Sequence, residues 1–190
     1  VGLLINRPNK WAYIHIPKTA GNSISQILLS VPETEQITTH GTLNELKNVD
    51  GYFIFTFVRN PYTRLASWFE HRKREGKANL FSNFIKSIDP LDFLFFSQEY
   101  YINHGNTPTK KISYVGKYEN LNYDLNYILN KIEIKENRIP HLNRNKMWEK
   151  HPNLNTHKLY KQYYNEDWMK DWVREKYQND FKIFNYELDI

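Results

Sequence analysis

Apolar residues gather in three short blocks, and each block runs through a punctuated turn into a stretch with helical spacing. Trp11 to Ile16 (WAYIHI) is rich in aromatic and branched residues; Pro17 and Gly21 interrupt it before Ile24, Ile27 and Leu28 take up a 3.6-residue period. Tyr52 to Val58 (YFIFTFV) is almost continuously apolar and follows Asp50-Gly51, the pattern of a strand covered on both faces near a sheet centre. Pro61 then suits the first turn of a helix, and Leu65, Trp68 and Phe69 form its apolar stripe. Lys111 to Tyr118 predicts a third strand, and Glu119 to Leu129 a helix with Leu121, Leu125, Ile128 and Leu129 on one face. Parallel strands need helical crossovers, so three such units predict an α/β fold with a central parallel sheet flanked by helices.

The remaining segments are less regular. Phe81 to Tyr101 is aromatic-rich and reads as helical with a break at Asp89-Pro90. Arg138 to Asn155, with Pro140 and Pro152, reads as a long loop. One or two helices are expected from Thr156 to Asn179, then a short final strand at Phe181 to Tyr186.

Composition narrows the function classes. A chain of 190 residues, 40% hydrophobic and 16% aromatic, can bury one core, and residues 1–190 read as a single domain. A net charge of +5 favours an anionic partner without choosing one. The absence of cysteine removes disulfides, thiolate metal sites and cysteine nucleophiles. No window approaches a membrane span, and the N-terminal stretch lacks a signal-peptide pattern, so a soluble, cytoplasmic protein of prokaryotic or viral origin is expected.

Two motifs carry the chemistry. His15-Ile-Pro-Lys-Thr-Ala-Gly-Asn-Ser23 joins a strand to a helix, so that backbone N–H groups, the positive helix end and Lys18 face one anion. A nucleoside-triphosphate loop reads GxxxxGK[ST]; here the leading glycine is missing and the lysine precedes the glycine, which argues against a nucleotide kinase. Arg59-Asn-Pro-Tyr-Thr-Arg-Leu-Ala-Ser67 comes directly after the central strand. Ligands of parallel sheets bind beyond the strands' carboxyl ends, so two anion sites there suit a nucleotide with two separated phosphates. Arg59 supplies a planar fork for a phosphate and Ser67 a hydroxyl, while Arg64 reads either as a third cation or as a structural ion pair.

PKTAGNS and RNPYTRLAS, each after a strand, resemble the 5′-phosphosulfate loop and the 3′-phosphate motif of sulfotransferases that use 3′-phosphoadenosine 5′-phosphosulfate (PAPS), closest to the carbohydrate branch that includes heparan sulfate 2-O-sulfotransferase. The resemblance implies a three-layer P-loop-like fold. It also implies that Lys18, Thr19, Ala20, Gly21, Asn22 and Ser23 hold the 5′-phosphosulfate and that Arg59 and Ser67 hold the 3′-phosphate. Val115 to Leu121 (VGKYENL), with Tyr118, is similar to the family's segment near the nucleotide, and His141 to Lys146, with Arg144, to its cofactor-covering loop. PAPS is then the donor, 3′-phosphoadenosine 5′-phosphate the product and a hydroxyl compound the acceptor, with no metal, nucleic acid or membrane partner. Familiar animal members of that branch are membrane-anchored and longer, so the acceptor, a carbohydrate or other small alcohol or phenol, is not carried over with the motifs.

In-line sulfuryl transfer needs a base, and histidine titrates nearest working pH. His40, in Thr-Thr-His-Gly-Thr, stands where the carbohydrate sulfotransferases place a catalytic histidine in a similar turn; its other reading is a loop residue beside a helix that starts near Thr42. Glu45 and Glu70 are the substitutes. His15 reads as a core or supporting residue and His71 as solvated among Arg72, Lys73 and Arg74, while His104, His141, His151 and His157 lack zinc-ligand spacing. Tyr160, Tyr164, Trp168 and Trp172 recur every four residues, as one packed helix face would. A basic domain that binds nucleic acid or an acidic glycan without chemistry would explain the charge and the aromatics, but not two phosphate motifs.

Overall fold

In the computed structural model, which describes residues 2–39, 41–103, 112–134 and 160–190, five strands form one sheet. They are β1 (Leu3–Asn6), β2 (Trp11–Ile14), β3 (Thr34–Thr38), β4 (Phe53–Val58) and β5 (Tyr114–Lys117), in the spatial order β3-β1-β2-β4-β5. β2, β4 and β5 pair in parallel, with Ile14 opposite Thr56 and Val58 opposite Lys117. This is the α/β fold with a parallel core that the three strand-to-helix units predict. Sequence periodicity missed β1 and β3: β1 pairs antiparallel with both β2 and β3, which makes the whole sheet mixed. The β1–β2 hairpin turns through Arg7-Pro-Asn-Lys10, and Asn6 accepts the Asn9 N–H at its Oδ1 while its Nδ2 donates to the Pro32 carbonyl and to Thr34 Oγ1. One buried amide therefore holds the hairpin and the start of β3 together.

The described chain divides into two compact units, Val1–Val58 with Gln98–Arg144, and Arg59–Ser97 with Asn145–Ile190. In the first, Trp11, Tyr13, Phe55 and Phe57 of the sheet pack against Ile24, Ile27 and Leu28 of α1 (Gly21–Leu29) and Leu125, Ile128 and Leu129 of α5 (Leu121–Lys131). Each such side chain contributes about 1.5–3 kcal/mol on burial. All four residues of β2 are buried, as a strand apolar on both faces requires. Gly116 is dictated by packing: a Cβ there would come within 2.5–2.9 Å of the Phe57 ring on the paired strand.

The second unit contains α2 (Pro61–Arg74), α3 (Phe81–Lys86), α6 (Asp167–Lys176) and α7 (Gln178–Ile183), around Tyr62, Leu65, Phe69, Phe81, Phe84, Met169 and Val173. The break expected at Asp89-Pro90 falls in the turn after α3, and α4 (Gln98–Asn103), in the first unit, ends that stretch. Tyrosine hydroxyls donate to backbone carbonyls across this unit: Tyr62 to Leu188, Tyr164 to Tyr62 and Tyr177 to Phe95, at 2.6, 2.7 and 3.0 Å. The strand expected at Phe181 to Tyr186 is instead the end of α7 and a turn, because the buried residues Phe181 and Phe184 are three apart, a helical interval rather than an alternating one. The loop expected at Arg138 to Asn155 lies outside the described residues. Among those residues no helix is long and apolar enough to cross a membrane.

The Asp124 carboxylate ties α5 to β5. Asp124, almost fully buried, accepts the Lys117 N–H at 2.6 Å and the Tyr114 hydroxyl at 2.9 Å. Burial first, and this hydrogen bond second, push the Tyr114 phenol up to about 12. Asp124→Ala leaves a strand-end N–H and a phenol without their acceptor and should lower unfolding free energy by about 3 kcal/mol. Tyr114→Phe, which removes one bond only, should cost about 1 kcal/mol. Urea midpoints of the two variants test this, and equal, small losses would show that the carboxylate does not anchor the strand.

Candidate active site

The segment from β2 to α1 has an unusual backbone. Lys18 and Ala20 both adopt left-handed φ, +72° and +71°, with Thr19 between them, and α1 begins at Gly21 with Ala20 as its N-cap. Left-handed non-glycine residues cost about 1–2 kcal/mol each, so two within three residues mark a strained loop of the kind found at functional sites. Alternation of handedness turns consecutive N–H groups to one side and makes a concavity suited to an anion. The first turn of α1 closes on Ala20, whose carbonyl accepts from Ser23 and Ile24. Thr19 is buried and its hydroxyl donates to the Ile16 carbonyl at 2.8 Å, so its side chain locks the loop from within. Asn22 is exposed, and Lys18 and Ser23 are half-buried.

Beneath the loop lies His15. A Cβ on Gly21 would fall 1.8 Å from its Cδ2 and 1.9 Å from its Nε2. The ring is buried and stacks on Tyr13 at 6.3 Å and 18°. Tyr13 is itself enclosed, and burial raises its phenol far above the ordinary value. His15 is thus a supporting residue under the loop, and Gly21 is the position that lets the helix start come down onto it.

The Arg59 motif starts α2. Asn60 is the N-cap, with its Oδ1 accepting from Tyr62 N at 3.0 Å and Thr63 N at 3.5 Å, and Pro61 fills the first helical position. Arg59 is 3% exposed. Its Nε donates to Thr63 Oγ1 at 3.0 Å, that hydroxyl donates to the Asn60 carbonyl, and the guanidinium lies 5.6 Å from the centre of the Tyr160 ring. Thr63 and Ser67, four apart, share a helix face, so the half-buried Ser67 stands one turn beyond the residue that orients Arg59.

Arg64 is engaged by backbone carbonyls. It is buried, donates to the carbonyls of Phe96 at 2.9 Å and Leu94 at 3.3 Å, and lies 5.8 Å over the Tyr177 ring. Thr63 and Tyr160 are the partners of Arg59 that sequence reasoning overlooked. The spacing of Thr63 could have revealed it; Tyr160 could not, being a hundred residues away. Tyr160 and Tyr164 are buried, and Trp168 and Trp172 pack beside the second unit's core, but turns and irregular chain at 162–166 interrupt the series, so the four-residue recurrence is packed without being the one helix face expected.

Tyr118 starts the 3₁₀ turn Tyr118–Asn120 at the carboxyl end of β5, two strands from the β2 loop on the same edge of the sheet. β3 runs in the same direction as β2, so Thr39, which comes after it, leaves that edge too. His40 itself lies outside the described residues, as do Arg144, His104, His141, His151 and His157. Just after position 40, Thr42 caps the 3₁₀ turn Leu43–Glu45, and the Glu45 carboxylate accepts the Thr42 N–H at 2.8 Å. That capping role engages one of the alternative bases. The other, Glu70, accepts the Tyr163 hydroxyl; burial and this bond hold the phenol above its ordinary range. His71 pairs with Glu75 at 3.3 Å on the exposed end of α2. Among the described residues no group of three histidines and carboxylates forms a cation cage.

The model of the Sulfotransferase family matches residues 1–187 of the chain. An uncharacterized protein of Archaeoglobus fulgidus is 36% identical over 92 residues, which cover 47% of this chain and 75% of that protein. No solved structure matches the chain significantly.

The contact of Gly21 with His15 generates a coupled expectation. Gly21→Ala should cost about 1–3 kcal/mol by overpacking. Adding His15→Ala should recover part of that loss, since the ring is what the new methyl strikes. Thermal unfolding of the two single variants and the double variant reads the coupling, and simple additivity would rule the contact out as the reason for glycine.

Proposed function

The chain belongs to the sulfotransferase family, and from that premise we propose that it moves the sulfuryl group of PAPS to a hydroxyl of a carbohydrate or other small alcohol or phenol, with residues 1–190 working as one sulfotransferase-like domain. The observation that carries the proposal is the Lys18–Ser23 loop, where two left-handed residues run into a helix start beside a lysine.

In this reading the N–H groups of Thr19 to Asn22, the Ser23 hydroxyl and the Asn22 amide hold the 5′-phosphosulfate, while the Thr19 hydroxyl keeps the loop closed. Arg59, steadied by Thr63 and Tyr160, grips the 3′-phosphate together with Ser67. Tyr118 and Arg144 complete the nucleotide contacts. The acceptor oxygen forms its bond to sulfur as the bond from sulfur to the 5′-phosphate oxygen breaks. Lys18 stabilises the charge that develops on the departing phosphate, and His40 takes the acceptor's proton. The bound nucleotide leaves as 3′-phosphoadenosine 5′-phosphate. No residue in this scheme calls for a metal.

Calorimetric titration should detect 3′-phosphoadenosine 5′-phosphate binding to the wild-type chain. Lys18→Ala and Arg59→Ala should each weaken it about tenfold or more, as loss of a charge-assisted contact does. A wild type that ignores this nucleotide yet binds nucleic acid in a salt-dependent way would replace the proposal with a non-catalytic binding domain.

His40→Ala should keep nucleotide affinity and lose about 100-fold or more in transfer of labelled sulfate to acceptor. Unchanged turnover would take His40 out of the base role while leaving the nucleotide assignment standing.

A further inference from the structure

Arg59 is buried, so the direction its guanidinium faces is set by neighbouring groups rather than by solvent. The Thr63 hydroxyl, accepting from Nε at 3.0 Å, anchors one edge of the planar group, and the Tyr160 ring, 5.6 Å away, limits its tilt. Thr63 is four residues along the same helix. Tyr160 belongs to a distant turn, and its ring can hold Arg59 only if that turn is itself held to α2.

The turn is fastened to α2 at two places. It is closed by Tyr163 N donating to the Tyr160 carbonyl at 3.1 Å and Tyr164 N to the Lys161 carbonyl at 3.0 Å. The Tyr164 hydroxyl meets the start of the helix, donating to the Tyr62 carbonyl at 2.7 Å. The Tyr163 hydroxyl meets it about 12 Å further along, donating to the Glu70 carboxylate. Burial first, and this bond second, keep the phenol protonated, so the donor persists through the working range of pH.

The Tyr163 ring stacks on Tyr160 at 6.1 Å and 29° and meets Phe69 at 5.3 Å and Phe81 at 5.4 Å. A phenylalanine at 163 would serve that packing equally well. The hydroxyl and the half-buried carboxylate add a cost of desolvation that packing does not require, and what they add in return is a fixed position for the ring. The column of Arg59, Tyr160 and Tyr163 thus ends on a carboxylate of the helix that Arg59 precedes.

We infer that Tyr163 and Glu70 are positioning residues whose hydrogen bond holds the Tyr160 ring and, through it, turns the Arg59 guanidinium toward the 3′-phosphate, an inference that rests on the assignment of that phosphate to Arg59 in the proposed reaction. Neither residue touches the nucleotide; both act through Tyr160.

Two readouts test it. In the full chain without nucleotide, arginine side-chain NMR follows the Arg59 Nε–H signal, identified by its loss in Arg59→Lys. Tyr163→Phe and Glu70→Ala should each shift or broaden that signal. Glu70→Gln, whose amide oxygen still accepts from the phenol, should leave it in place. So should Tyr177→Phe, which deletes a hydroxyl bond of the same kind, to the Phe95 carbonyl. Calorimetry then compares 3′-phosphoadenosine 5′-phosphate with adenosine 5′-phosphate, which lacks the 3′-phosphate. Tyr163→Phe should weaken the first about fivefold and leave the second within about twofold, whereas general destabilisation would weaken both alike. An Arg59 signal unmoved in Tyr163→Phe, or equal weakening of the two nucleotides, overturns the inference. A wild type that binds both nucleotides equally would end the assignment of the 3′-phosphate to Arg59, and the NMR signal would still decide whether the pair orients the guanidinium.

Discussion

Parallel pairing of β2 with β4 is the constraint on which the candidate site depends. Parallel strands send successive connections off one edge of a sheet, so the residues after Ile14, Val58 and Lys117 all leave at the carboxyl ends of neighbouring strands. A register that puts Ile14 opposite Thr56 also lets the buried Thr56 hydroxyl donate to the Ile14 carbonyl at 2.8 Å, just where β2 gives way to its loop. Had the two strands run antiparallel, the segments that follow Ile14 and Val58 would have left at opposite edges, whatever their individual sequences.

Short-range packing then shapes the segment that leaves each strand. After β2, the loop bears two left-handed residues because the turn from strand to helix is made in six residues over a histidine ring, with Gly21 removing the one Cβ that the ring forbids. After β4, an asparagine cap and a proline start α2 at once, so Arg59 is held at the helix mouth by its own i+4 threonine. Two buried arginines five residues apart divide the labour. Arg59 is oriented by a hydroxyl and an aromatic ring, and Arg64 gathers backbone carbonyls of 94 and 96. Burying a guanidinium is tolerable only where such donors are engaged.

α5 shows how one helix can carry two unrelated demands. Its inner face completes the core under Phe55 and Phe57, its carboxylate secures the end of β5 from which Tyr118 departs, and its outer face is left for amides and tyrosines. The aromatic pair at Tyr114 and Tyr127 links those demands, since the residue that fixes the strand end also fixes the exposed ring.

Taken alone, the sequence determined the features that are local along the chain. Strands β2 and β4 are nearly unbroken apolar runs because both faces are covered, and the two motifs announce themselves through lysine, glycine, asparagine and proline at strand-to-helix turns. It also carried enough of the PKTAGNS and RNPYTRLAS pattern to indicate the family that the match over residues 1–187 establishes. Tertiary structure decided the rest. The exposed strand β3 has no alternating pattern, α7 replaced an expected strand because the buried Phe181 and Phe184 stand at a helical interval, and Tyr160 meets Arg59 from 101 residues further along the chain. Such pairings leave no periodic imprint on the chain, because they depend on which surfaces the fold brings together and not on the order of neighbouring residues.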